Sequence, residues 1–169
     1  MDPASRGALS SAWRWFALAA AVVLADQITK ALVLARFALG ERLELTGFFN
    51  MVLVYNKGAA FSFLSDAAGW QTPALIVFAL AAIGVVGTFI VRSPGRRLLC
   101  TGLALILGGA LGNLIDRLRF GQVVDFLDFH VGAWHWPAFN VADSAITIGA
   151  VLIILEGFLA NEGRARSAP

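Results

Sequence analysis

The chain reads as an all-α polytopic membrane protein: four transmembrane helices carrying a small β-sheet and a short interfacial helix on one side. Three observations predict this. Its 169 residues are 59% hydrophobic and only 14% charged, and the mean hydropathy is +0.76, far above soluble averages. Four apolar segments approach the roughly 20 residues that a helix needs to cross a hydrocarbon core of ~30 Å. Arginines also cluster at alternate ends of those segments.

The spans fall at about 13–34, 70–91, 98–116 and 139–160, within a single integral domain over 1–169. The first is interrupted by Asp26 and Lys30, and the second carries no charge. The third is rich in glycine (Gly102, Gly108, Gly109, Gly112), and the fourth has Asp143 near its head and Glu156 near its end. Arg6 and Arg14 stand at the head of the first span, Arg92, Arg96 and Arg97 between the second and third, and Arg164 with Arg166 after the fourth. The positive-inside rule places these arginines, and both termini, in the cytoplasm. The longer connections, about 36–69 and 117–138, then face outward. Val23-Leu24-Ala25 imitates a secretory cleavage site, but the apolar character resumes after Asp26, so an uncleaved helix is expected.

In the first outer connection, Arg42 to Leu45 alternates at period two, Thr46-Gly47 marks a turn, and Phe48 to Tyr55 is rich in β-formers, which predicts a hairpin. Asn56-Lys57-Gly58 reads as a further turn. Residues 59–64 suit a short helix lying in the interface. Gln122 to His130 is again β-like, and the residues from 161 onward are polar and expected to be disordered. The single cysteine, Cys100, lies in an apolar run and is expected to pack as a small hydrophobe.

Function is sought where charge is expensive. Asp143 heads a spanning helix and Asp125 follows another, so both are candidates for a working site. Helical rise places Asp116 and Asp143 each about 28 Å up their spans, near the outer interface. Asp125 can fold back to meet Asp143, and two nearby carboxyls suit general acid and base work. Asp26 and Lys30, four residues apart on one helix face, suit an ion pair or a substrate contact. Asn113 and Arg117 share a face and could hold carbonyls or orient a carboxylate. The glycines before Asp116 allow close approach of a helix or a bound peptide.

Other chemistries are disfavoured. His-Glu-x-x-His and Gly-x-Ser-x-Gly are absent, and neither histidine lies within a span to activate Ser62 or Ser144. His130 and His135 flank Trp134 and suit interfacial anchoring. A zinc site from Asp125, Asp128 and His130 lacks the usual ligand spacing, so no metal or cofactor is expected. A net charge of +2 without a basic stripe argues against nucleic acid. A small proton-coupled transporter or channel is the rival class, but it would place its acid nearer the midplane and show repeat symmetry.

Five short blocks occur in order: Asp26-Gln27-Ile28-Thr29-Lys30, then Tyr55-Asn56-Lys57-Gly58-Ala59-Ala60-Phe61-Ser62, then Gly108 to Arg117, then Val123-Val124-Asp125-Phe126, and finally Phe139-Asn140-Val141-Ala142-Asp143-Ser144. Together, from about Trp13 to Leu159, the chain resembles the prolipoprotein signal peptidase family, also called signal peptidase II, whose members are aspartyl proteases. The resemblance implies four membrane helices with an extramembrane β-cradle and a short surface helix. It implies a catalytic dyad of Asp125 and Asp143, with Asn56, Gly58, Asn113, Arg117 and Asn140 lining the site and Asp26, Lys30 and Asp116 supporting it. The expected partner is a diacylglyceryl-modified prolipoprotein, cut by a monomer in the bacterial inner membrane, in contact with lipid.

Overall fold

Long apolar runs with no internal proline beyond the first turn have one cheap conformation in lipid, the α-helix, because it satisfies every backbone group internally. A computed structural model describes residues 3–58, 70–93 and 95–166. It contains α1 (Pro3–Arg36), β1 (Arg42–Thr46), β2 (Phe49–Asn56), α2 (Gln71–Arg92), α3 (Arg97–Phe120), β3 (Val123–Val131), β4 (Trp134–His135) and α4 (Val141–Arg166). Four helices are long and apolar enough to cross a membrane: Ala12–Arg36, Gln71–Arg92, Arg97–Phe120 and Val141–Ala160. Residues 59–64, read as an interfacial helix, lie outside the described residues.

Helix ends differ from the expected ones for local reasons. The third span continues past residue 116 to Phe120, stopped by Gly121, whose φ of 72° lets the chain turn left-handed at no steric cost. The fourth begins at Val141, not residue 139, because Phe139 bridges to Leu127 and Asn140 serves as the cap. Residues 161–166, expected to be disordered, continue α4, since no proline interrupts it.

The central helix is α3, which packs against α1, α2 and α4. Its glycines serve helix packing. A Cβ on Gly108 would lie 2.6 Å from the Ala19 carbonyl oxygen of α1. One on Gly109 would strike the Ala142 carbonyl of α4, and Gly102 meets Gly149 of α4 in the same way. Backbones this close gain dispersion contacts, the main attraction left between helices when lipid is the solvent. One buried cluster, including Trp15, Ala19, Ile90, Leu103 and Leu107, joins α1, α2 and α3. A second, formed by Val33, Leu53, Val124 and Phe126, seats the sheet on the outer end of α1.

The sheet is antiparallel in the order β1-β2-β3-β4. An irregularity between Met51 and Val54 resets the pairing so that Val54 lies opposite Asp125 and Asn56 opposite Val123. That register places Asn56 and Asp125 at the same end of the sheet, above the helix bundle.

We expect Gly109→Val to cost about 1–3 kcal/mol by forcing α3 and α4 apart. Gly84→Val, where an added Cβ meets nothing within 4 Å, is the control. Thermal unfolding in detergent micelles should show a lowered midpoint only for the first.

Candidate active site

The site is assembled from a buried ammonium outward. Lys30 Nζ lies 2.8 Å from Asp26 Oδ2, 2.8 Å from Asp116 Oδ2 and 3.0 Å from Asn113 Oδ1. Three donors meet three acceptors, so the cation is satisfied although it is only 2% exposed. The two carboxylates also accept from backbone: Asp26 Oδ1 from Ala142 N–H at the start of α4, and Asp116 Oδ2 from Val124 N–H of β3. Asp26 and Lys30 are therefore a structural pair, completed by Asp116, rather than groups presented to solvent. Gly112 makes room for Asp26, whose Oδ2 would sit 2.6 Å from a Cβ there. Gln27 was not singled out from sequence, yet its Nε2 reaches Asp116 Oδ1 at 2.9 Å and the Gly112 carbonyl at 3.2 Å. Its signal is a primary amide beside Asp26 in a membrane-spanning helix.

Asn113 transmits this arrangement. With its Oδ1 held by Lys30, its Nδ2 faces Asp143 Oδ1 at 2.7 Å. Asn140 caps α4: its Oδ1 accepts from Asp143 N–H at 2.9 Å, and Asp143 Oδ2 accepts in return from Asn140 N–H at 3.3 Å. This reciprocal cap follows the spacing of a capping box. The same Asn140 sends its Nδ2 to Asp125 Oδ1 at 2.7 Å. One side chain thus touches Asp125 and fixes the turn that carries Asp143. Asp125 Oδ2 accepts from Asn56 Nδ2 at 3.1 Å. Gly58 contributes backbone alone, its N–H donating to Asn56 Oδ1 and its carbonyl accepting from the Arg117 guanidinium at 2.8 Å.

Among the described residues neither Asp125 nor Asp143 is in an ion pair; both are held by amides. Burial drives the Asp125 carboxyl up to about 7, and the Asp143 charge adds to the shift against the hydrogen bonds from Asn56 and Asn140 and the more distant charge of Lys30. Asp128, by contrast, serves the sheet. Burial would raise it, but Asn50 Nδ2 at 2.9 Å and His135 Nδ1 at 2.8 Å hold it below the ordinary carboxylate range. Asp128 thus keeps company with His135, not with Asp125.

A cavity of about 590 Å³ opens beside Asp143. Asn56, Asn113 and Arg117 line its polar end, and Leu75, Phe78, Ile106 and Ile148 line its apolar wall along α2, α3 and α4. Trp136, Pro137 and Ala138, which no pattern along the chain marks as site residues, form its rim. Asp125 is 2% exposed and sits behind Asn56 and Asn140 rather than on the cavity wall.

The family profile described as signal peptidase (SPase) II matches residues 18–159. The chain belongs to that family. It is 54% identical over 154 residues to the lipoprotein signal peptidase of Paraburkholderia phytofirmans, covering 91% of this chain and 90% of that one. The lipoprotein signal peptidase of Burkholderia thailandensis is 54% identical over 156 residues, covering 92% of each. A bacterial membrane enzyme solved by the in meso method at 2.3 Å superposes with a TM-score of 0.80 at 28% identity, covering 92% of this chain and 93% of the other. A second, solved in the same way at 1.9 Å, gives 0.73 at 31% identity, covering 84% and 90%. Membership of the signal peptidase II family makes the chain a protease and a multi-pass protein of the bacterial inner membrane. The transporter alternative finds no support in these likenesses.

Two stability experiments test the electrostatics. Lys30→Met leaves Asp26 and Asp116 buried and uncompensated and should cost about 3–5 kcal/mol, read as a lowered unfolding midpoint. The carboxyl of Asp125 is raised on folding, so wild-type stability should fall as pH rises from the unfolded value near 4 to about 7. Asp125→Asn removes that dependence, and its melting temperature relative to wild type should climb across the same window and level off above it.

Proposed function

We propose that this enzyme removes signal peptides from prolipoproteins whose lipobox cysteine already carries diacylglycerol, cutting on the amino side of that cysteine, with Asp125 and Asp143 as its catalytic dyad. The observation that carries this reading is Asn140, one amide side chain that binds Asp125 and caps the helix turn bearing Asp143, at the head of an apolar cavity.

The pair holds one proton near neutral pH, because burial beside a second carboxylate disfavours two charges, and that proton sits on Asp125, which lies behind the cavity wall that Asp143 lines. Asp143 is then the base. Substrate and water exchange the Asn56 contact on Asp125 for a hydrogen bond to the reacting centre. Asp143 takes a proton from the water as its oxygen adds to the scissile carbonyl, while Asp125 hydrogen-bonds the developing oxyanion. Collapse breaks the C–N bond, and the proton of Asp125 passes to the leaving amine, so the dyad again holds one proton. Arg117, on the cavity wall and bonded to the Gly58 carbonyl, would hold the substrate backbone. Diacylglyceryl chains fit the apolar side between α2 and α4, which both lean on α3, and this anchorage lowers the entropic cost of alignment.

Arg92, Arg96 and Arg97 lie at the bundle end away from the dyad, where Arg96 pairs with Glu156 of α4 at 2.6 Å. The positive-inside rule therefore supports cytoplasmic termini and a dyad near the outer, periplasmic interface. A monomer suffices, because every proposed group comes from one chain.

Asp125→Asn and Asp143→Asn should each lower cleavage of a purified diacylglyceryl prolipoprotein by a factor on the order of 10²–10⁴ or more, with little change in substrate binding. The non-lipidated substrate should be spared. Wild-type kcat/KM should fall on the alkaline side with a midpoint near 7 as Asp125 loses its proton. Full activity in either variant, measured by gel shift, would remove that residue from the mechanism.

A further inference from the structure

Neighbouring residues on a strand face opposite ways, so Phe126 points away from Asp125, across β3 from the dyad. There it lines a second cavity, of about 480 Å³, between the outer end of α1 and the sheet. Buried Val33 and Phe126, with Met51, form its interior, while exposed Arg36, Glu41 and Arg42 stand at its edge. The proteolytic reading uses none of these charged groups.

Their arrangement suits an amphiphile. Leu24, Ile28, Leu32 and Arg36 recur every four residues and share one face of α1. The three apolar members are 62%, 57% and 51% exposed, forming a strip that spans about 18 Å up to the arginine. Arg36 is also the last residue of its span, where chain meets headgroup. Among the described residues Arg36 makes no ion pair, whereas Arg42 lies 3.7 Å from Asp128 Oδ2, an oxygen already served by Asn50 and His135. Glu41 spends one carboxylate oxygen on Ala38 N–H at 2.7 Å, and its other oxygen has no hydrogen bond among the described residues.

We propose that this cavity binds one ethanolamine glycerophospholipid of the surrounding leaflet, with its phosphate on Arg36 and Arg42, its ammonium on Glu41 and one acyl chain along Leu24, Ile28 and Leu32. Guanidiniums match phosphate oxygens in geometry as well as charge. A carboxylate beside them favours a headgroup that carries a cation next to its phosphate, and disfavours one with a second anionic group.

Native mass spectrometry of the full chain, released from detergent with equal amounts of ethanolamine and glycerol phospholipids, tests this. One bound ethanolamine lipid is expected. Arg36→Gln with Arg42→Gln should weaken its retention on the order of tenfold, the worth of a charge-assisted hydrogen bond. Glu41→Gln should keep a lipid bound but lose the preference for ethanolamine over glycerol. Prolipoprotein cleavage by these variants should match the parent, which separates this site from the dyad. Equal retention of both lipids by the parent, or unchanged retention in the double arginine variant, would overturn the proposal. So would full displacement by inorganic phosphate, which would mark an anion site with no role for the acyl strip.

Discussion

A lysine ammonium buried among four elements sets the geometry of this molecule. Lys30 is affordable inside a membrane bundle only because Asp26, Asp116 and Asn113 take its three protons. Those acceptors come from α1 and α3, and the two carboxylates reach on to backbone N–H groups of α4 and β3. Each of the two elements that carry a candidate catalytic carboxylate is thus tied to the same charge cluster. Moving either would leave a buried carboxylate oxygen short of a hydrogen bond, at a cost of about 1–3 kcal/mol.

The same cluster explains how amides rather than cations come to surround Asp125 and Asp143. Lys30 lies one side chain away and acts through Asn113, whose amide orientation it sets. An arginine paired directly with either carboxylate would hold it ionised and end its use as an acid. Amides position the oxygens and leave burial free to raise the proton affinity of Asp125. The cost is a polar pocket in a lipid-facing protein, and the glycines of α3 offset it by letting α1 and α4 close tightly beneath.

Lipid as solvent also accounts for the asymmetry of the bundle. α3 is embedded, while α2 exposes large residues such as Val77 and Phe78. With α2 and α4 both leaning on α3, the cavity between them presents apolar wall below and polar groups above. A substrate with fatty chains attached to a peptide has the same polarity profile.

Much of this was legible in the residues. Span number and the hairpin follow from hydropathy and alternation, the expense of charge in lipid marks Asp125 and Asp143 as candidates, and the five short blocks named the family. Helix ends were less legible, because Gly121 acts through a left-handed backbone turn and Asn140 through a side-chain cap, neither of which apolarity encodes. Local periodicity fixes which face a residue takes, and the i,i+4 spacing of Asp26 and Lys30 or of Asn113 and Arg117 needs no tertiary information. Whether Asp116 completes the lysine cluster, whether Asn140 joins two carboxylates and whether Asp125 lies behind the cavity wall depend on contacts between residues far apart in the chain. Those were decided only when α1, α3, α4 and the sheet packed, because a hydrogen bond requires a distance of about 3 Å, which no pattern along one segment specifies for its partner in another.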